Sequence, residues 1–265
     1  MRIFGALLLI ATLVPTLPRL QAQAPGENST GSPTVIIQDG GGDQVLQSIY
    51  IPPIPNAPFT AIVHTQWIRS MIGGGAYTVV NERQVARDRA GRIYEERWLL
   101  VPKDGKWISQ MNVIQVADPA AHTLLNCFLL QMPHRCVVQQ YDDSPTANYR
   151  PSLMQTGALP NGDGFLTHED LGFQTIAGID TQGIRDTVTY NRGVIGNDRT
   201  YNKVREFWFA PSLEINLRSE VTSPDFGKQI FNLTDVGTAD PDPKLFEIPG
   251  GFKVVDRRTP AAPNQ

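Results

Sequence analysis

The sequence predicts an all-β protein built mainly from one long antiparallel sheet, and three observations predict it. Apolar and polar residues alternate with a period of two along successive stretches, which is the strand period. Gly, Pro, Asp and Asn recur between those stretches about every 12 to 15 residues, the spacing of a meander rather than of βαβ units. Charged residues make up only 18% of the chain against 41% hydrophobic. That leaves little of the Glu, Lys and Arg surface on which long amphipathic helices depend.

Residues 1–22 read as an export signal: Arg2 is followed by an apolar run over 3–14 and by small residues at Ala22 and Ala24. Cleavage after Ala22 keeps Pro25 away from the first mature position. No later stretch reaches the roughly 18 continuous apolar residues of a membrane helix, so no integral membrane segment is expected after signal removal. Residues 23–58 are rich in Gly, Pro, Ser and Asn, with GGG at Gly40 to Gly42 and PPIP at 52–55. They read as a flexible linker whose one ordered piece is a short strand near Val35.

The sheet is expected over residues 59–255. Phe59, Ala61, Val63 and Thr65 face one side and Thr60, Ile62, His64 and Gln66 the other. Strands at 77–87, 92–100 and 107–116 follow, separated by turns at Gly73 to Gly75, Asp88 to Gly91 and Pro102 to Gly105. Residues 142–164 read as a long polar loop. The meander resumes through LTHEDLG, QTIAGIDTQG and IRDTVTY. It ends in strands at 201–210, 213–222 and 228–236, of which 213–222 is the most one-sided, with Leu213, Ile215 and Leu217 against Glu214, Asn216 and Arg218. A disordered tail is expected over 256–265.

The 2 cysteines, Cys127 and Cys136, flank FLLQMPHR, whose Met132 and Pro133 suit a turn. An antiparallel hairpin places the two sulfurs on opposite positions, and an exported chain meets an oxidising compartment, so a disulfide is expected. A redox or metal pair is the weaker reading, because there is neither CxxC spacing nor a third ligand in sequence.

Composition and motifs narrow the function. A net charge of -3 offers no positive field for phosphates, so nucleic acid is not an expected partner. The 4 histidines show no metal-ligand spacing, and no metal or cofactor is expected. The calcium-loop-like start at Asn161 has Gly172 where a bidentate Glu is needed, and reads as a turn. No GxSxG, P-loop or Cys/His dyad occurs, and His168, Glu169 and Asp170 read as a polar strand. The chain is therefore read as a non-enzyme.

The motifs ARDRAGRIYEERW (86–98), VADPAAHTLLN (116–126), HEDLGFQTIAGIDTQGIRDT (168–187), EFWFAPSLEINL (206–217) and DPDPKLFEIPGGFKVV (240–255) resemble a group of secreted acidobacterial proteins. Those in turn are similar to the LolA and RseB type of periplasmic lipoprotein carrier and sensor. The resemblance implies a strongly curved antiparallel half-barrel with few short helices, periplasmic or secreted. It also implies a concave face that holds acyl chains or an apolar peptide, with lipid, lipoprotein or an envelope protein as partner. Two departures stand out: a Pro/Gly linker occupies the place of a leading helix, and only 142–164 and 241–246 could supply helices for the concave face.

Aromatic residues are the candidates for ligand lining: Trp67, Trp98, Trp107, Phe207, Trp208 and Phe231. The bland reading, core packing, applies to each of them, because Phe207, Trp208 and Phe209 put aromatics on both faces of one strand and one face must be core. The leading reading is an exported binding module. The alternatives are an envelope sensor or scaffold with a filled barrel that binds another protein, and a hydrolase acting on envelope polymers.

Overall fold

A computed structural model describes residues 38–41, 44–47, 49–103, 106–141 and 155–258, with side chains over 49–99, 110–141 and 155–258. The expected signal peptide, the far end of the tail and the side chain of Trp107 lie outside the described residues.

Among the described residues fifteen strands follow one another: β1 (Gln38–Gly41), β2 (Gln44–Gln47), β3 (Phe59–Ser70), β4 (Ala76–Arg87), β5 (Ile93–Lys103), β6 (Lys106–Asp118), β7 (Thr123–Phe128), β8 (Arg135–Gln140), β9 (Gly157–Ala158), β10 (Gly164–Ile176), β11 (Ile179–Tyr190), β12 (Tyr201–Ala210), β13 (Ile215–Ser223), β14 (Gly227–Gly237) and β15 (Lys253–Asp256). Short 3-10 turns occupy Pro160–Gly162 and Pro243–Phe246. β1 and β2 pair only with each other, and β1 lies beside β5. The other strands form one sheet of 13 in the order β15, β8, β7, β6, β5, β4, β3, β14, β13, β12, β11, β10, β9.

Two meanders, β3 to β8 and β9 to β14, therefore meet where β14 pairs antiparallel with β3, Phe231 opposite Thr65. Among the described residues the predicted strands are present with two corrections, while residues 35–37 of the short strand expected at 35–38 lie outside them. The three segments read between 165 and 190 are two long strands joined by a two-residue turn at Ala177 and Gly178, both of positive φ, and the pairing continues past a bulge between Asp170 and Gly172. The strand read from Leu213 starts at Ile215, since Glu214 takes φ +51 in the preceding hairpin.

Period-two burial separates the faces. Phe59, Ala61, Val63, Thr65 and Trp67 are buried on one side of β3, and the same side of β13 buries Ile215 and Leu217. On this face Arg87 of β4 donates from Nη2 to the Leu213 carbonyl at 2.6 Å. Three strand spacings separate β4 from β13, roughly 14 Å in a flat sheet and beyond the reach of an arginine. The sheet is thus curled, and this is its inner face.

The expected linker is ordered in part. Ile49 and Ile51 are buried in the inner-face cluster with Phe59, Val85, Leu213 and Leu233. Their apolar side chains outweigh the Pro-rich composition around them, and two carbonyls of this segment, Pro52 and Ala57, accept from Arg87 at 2.8 and 2.9 Å. Gly91 closes the turn beside it: its φ is +87, and a Cβ there would sit 3.1 Å from the Pro53 carbonyl oxygen.

The last segment crosses the outer face. Residues 238–252 run from β14 over β5 to β7, and β15 then pairs parallel with β8. Phe246 packs with Ala86, Tyr94, Val116 and Leu125 over the Cys127–Cys136 disulfide, which joins directly opposite residues of β7 and β8. Both sulfurs are fully buried. Replacing both cysteines by alanine is expected to lower stability by about 2 to 3 kcal/mol, mainly by freeing the unfolded chain. Chemical denaturation reads this, and an unchanged midpoint would contradict it.

One ionisable cluster ties strand ends together. The Tyr201 hydroxyl donates to Asp225 Oδ1, and Ser223 Oγ donates to the same oxygen at 2.7 Å. These bonds, Tyr201's first, hold the Asp225 carboxyl below its ordinary value, while burial and then Asp225 push the Tyr201 phenol up. A depressed carboxylate stabilises above its unfolded pKa of about 3.9 and loses that contribution as pH falls through the folded value. The raised phenol contributes below about 10 and loses its share as pH rises further. Tyr201→Phe is expected to cost about 0.5 kcal/mol at neutral pH, because the site is exposed, and the difference from wild type should shrink below about pH 4. Urea midpoints across pH 2.5 to 8 measure it; a pH-independent difference would refute it.

Candidate ligand cleft between β4 and β5

β4 and β5 are neighbours over only three residue pairs, Val85 with Glu95, Ala86 with Tyr94 and Arg87 with Ile93. Beyond these the strands part. β4 stays paired to β3 as far as Ala76, and β5 to β6 as far as Lys103, so each carries an edge that no strand among the described residues completes. Side chains bridge the start of the gap instead. Glu96 Oε2 accepts from the Gln84 backbone N–H at 3.0 Å, and Asn81 Nδ2 donates to the Trp98 carbonyl at 3.3 Å.

A cavity of about 770 Å3 opens there. Outer-face residues Ile62, His64, Gln66, Val80, Glu82, Gln84, Glu96 and Trp98 line it, together with inner-face Thr65, Asn81 and Arg83. Its apolar surface comes from Ile62, Val80 and Trp98, and Val80 is 59% exposed despite lying mid-strand. Glu96 organises the wall. Tyr94 Oη donates to its Oε1 at 3.1 Å and Trp98 Nε1 to its Oε2 at 2.9 Å, so the carboxylate fixes the indole plane. Burial, then the Glu96 charge, pushes the Tyr94 phenol well above its ordinary value and keeps it a donor. Across the cleft His64 sits with Nδ1 2.9 Å from Glu82 Oε1 and Nε2 2.8 Å from Thr234 Oγ1. A second cavity of about 270 Å3 lies on the far side of Tyr94, under Leu245 and Ile248 of the crossing segment.

The five aromatic candidates whose side chains are described do not converge. Trp67, Phe207 and Phe231 are buried on the inner face. Trp67 donates from Nε1 to the Phe226 carbonyl at 2.7 Å and stacks on that ring at 4.7 Å, and Phe207 clusters with Ile184 and Phe209 under the Arg205 guanidinium. Trp208 is half-buried on the outer face, its ring so close over Gly183 that a Cβ there would meet it at 2.5 Å. Trp98 alone of the five with described side chains lines the cleft.

Charged and polar residues that the sequence pattern did not single out shape the inner face. Arg83 and Glu95 are buried there, Arg83 donating to Thr65 Oγ1 at 3.0 Å and Arg97 donating to Glu95 and, at 3.0 Å, to Gln115. The chain of amides continues through Asn126 to Gln139 at 2.8 and 3.0 Å. Gln229 is 1% exposed, and neither of its amide atoms has a hydrogen-bond partner among the described residues. His168 Nδ1 lies 2.6 Å from Asp186 Oδ1 across the β10–β11 ladder, a pairing set by strand register and invisible in the His168-Glu169-Asp170 run. Among the described residues no three His, Cys, Asp or Glu side chains gather as a metal site, and no helix is long and apolar enough to cross a membrane.

No family model and no curated protein matches the chain. Solved structures do. A chain of the Pseudomonas aeruginosa MucA/MucB complex is similar at 16% identity and TM-score 0.34, over 74% of this chain and 58% of that one. Mycobacterium tuberculosis lipoprotein LppX is similar at 13% identity and TM-score 0.31, over 71% and 89%. A LolA superfamily protein of Nitrosomonas europaea is similar at 11% identity and TM-score 0.29, over 74% and 92%. The chain thus spans under two thirds of the MucA/MucB chain that it matches.

Proposed function

We propose that this chain is an exported, non-catalytic binding module of the cell envelope, and that its guest sits in the cleft between β4 and β5. The observation that carries this reading is the cleft itself. Its volume of about 770 Å3 falls among those of known ligand sites, and it combines an apolar floor with a few fixed polar groups. Apolar parts of a lipid, a lipoprotein or a peptide bury against Ile62, Val80 and Trp98. Affinity then comes from removal of apolar surface from water, with no bond made or broken.

Trp67, Phe207 and Phe231 act in this reading as core packing rather than as lining, since each is already buried against protein, Phe207 in a separate cluster on β12. That filling also supports the second reading, a sensor or scaffold whose partner is another envelope protein. Native mass spectrometry of the protein isolated from its own envelope tests the proposal. A retained guest that is lost in Val80→Arg is expected. An empty cleft in wild type, with no binding of a fluorescent acyl probe or of a peptide, would overturn it.

A further inference from the structure

We infer that the guest is an extended polypeptide segment, held as an added strand along the open edge of β4; this rests on the cleft reading above and gives it a ligand class. In a strand the N–H and C=O of one residue point to the same side, and the side alternates from each residue to the next. The Gln84 N–H points into the gap, where Glu96 accepts it. The β3–β4 register runs without a bulge, so Glu82, Val80, Thr78 and Ala76 direct their N–H and C=O groups into the same gap.

That row of donors and acceptors spaced two residues apart matches the backbone of another strand, and no feature of an acyl chain. Protein side chains already imitate the missing partner at its first rung: Glu96 takes the place of a strand carbonyl for Gln84, and Asn81 that of a strand N–H for Trp98. The β1–β2 hairpin lies beside β5 but joins neither ladder, so it does not complete the edge. A guest strand pairs with the β4 edge at the ordinary sheet spacing of about 4.8 Å. Charge refines the preference. Glu82 and Glu96 are the acidic groups of the lining, and its one arginine, Arg83, is turned to the inner face and bonded to Thr65. A segment with Lys or Arg alternating with apolar residues fits, its apolar side chains against Val80 and Ile62 and its cations toward Glu82.

The test uses the full exported chain and a fluorescent eight-residue peptide of alternating Val and Lys. Three companions complete it: the same peptide N-methylated at alternate residues, an alternating Val and Glu peptide, and a fluorescent acyl probe. The Val–Lys peptide is expected to bind, with affinity at least about tenfold lower after N-methylation, because each methyl removes a strand donor. The Val–Glu peptide should bind several-fold more weakly. Val80→Pro removes a gap-facing N–H without touching the β3 ladder, and should weaken the Val–Lys peptide about tenfold while the far-ultraviolet circular dichroism stays that of wild type. Equal affinity for methylated and unmethylated peptides would overturn the inference. So would acyl-probe binding in the cleft without peptide binding, an outcome that leaves the cleft reading standing. Failure of every probe, with an empty cleft by native mass spectrometry, would remove both.

Discussion

Arg87→Met is expected to destabilise the protein by about 4 kcal/mol, the largest effect of any single substitution considered for this sheet. Arg87 is 0% exposed, and its guanidinium donates to three backbone carbonyls: Pro52 and Ala57 from the segment before β3, and Leu213 from the β12–β13 hairpin. It also lies 5.2 Å over the Phe59 ring. Methionine keeps the aliphatic stem and its packing but leaves these carbonyls without that donor, and each buried carbonyl so orphaned costs about 1 to 3 kcal/mol. Water entering from the chain ends should recover part of this. Arg87→Lys should fare little better, because a single ammonium cannot serve three acceptors held at the angles of a planar fork. Urea denaturation should show a lower midpoint at an unchanged slope. A loss under about 1 kcal/mol would mean that the arginine does not tie the two halves of the sheet together.

Phe246→Ala is expected to cost about 3 kcal/mol. Its ring is 7% exposed, meets Tyr94 edge-on at 6.5 Å and carries the Arg92 guanidinium 4.7 Å above it. It is the large buried side chain of the segment that crosses the outer face, in which Pro241 is buried too, so its loss removes apolar burial over Leu125 and the disulfide as well as the aromatic contact. β15 follows six residues after the 3-10 turn and depends on that anchor for its place beside β8. Amide exchange should therefore quicken in residues 253–256 by more than it does in β7. Equal effects on the two strands, or a loss below about 1 kcal/mol, would contradict the role given to the crossing segment.

What the sequence disclosed and what it concealed divide along the same physical line. Side-chain alternation is local, so the buried face of β3, with Phe59, Ala61 and Val63, and that of β13, with Ile215 and Leu217, could be read residue by residue. Turn chemistry is local too, and the Asp88 to Gly91 turn and the facing Cys127 and Cys136 were readable for that reason. Which strands lie side by side is not local. Nothing in 227–237 announces β3 as its neighbour, or in 253–256 a parallel partner 118 residues earlier, as Lys253 opposite Arg135 is.

The candidate site suffered most from this. Residues 76–84 and 96–103 look like ordinary strands, because alternation reports which face a side chain takes and says nothing about whether each backbone edge has a partner. Charge is no guide in the same region: Arg83, Arg87 and Glu95 are buried on the inner face, where hydrogen bonds offset their desolvation. Of the aromatic candidates, Trp98 reached the cleft and the buried ones followed their hydrophobic area into the core.

The open edge of β4 can be measured directly by residue-resolved amide hydrogen exchange on the unliganded full chain. An alternation is expected: Thr78, Val80 and Glu82, whose N–H groups face the gap, exchange at least about a hundredfold faster than Val79, Asn81 and Arg83, which donate to β3. Uniform protection along residues 77–83 would contradict it, since it would mean that β4 is already paired on both sides and that there is no edge for a guest strand to join.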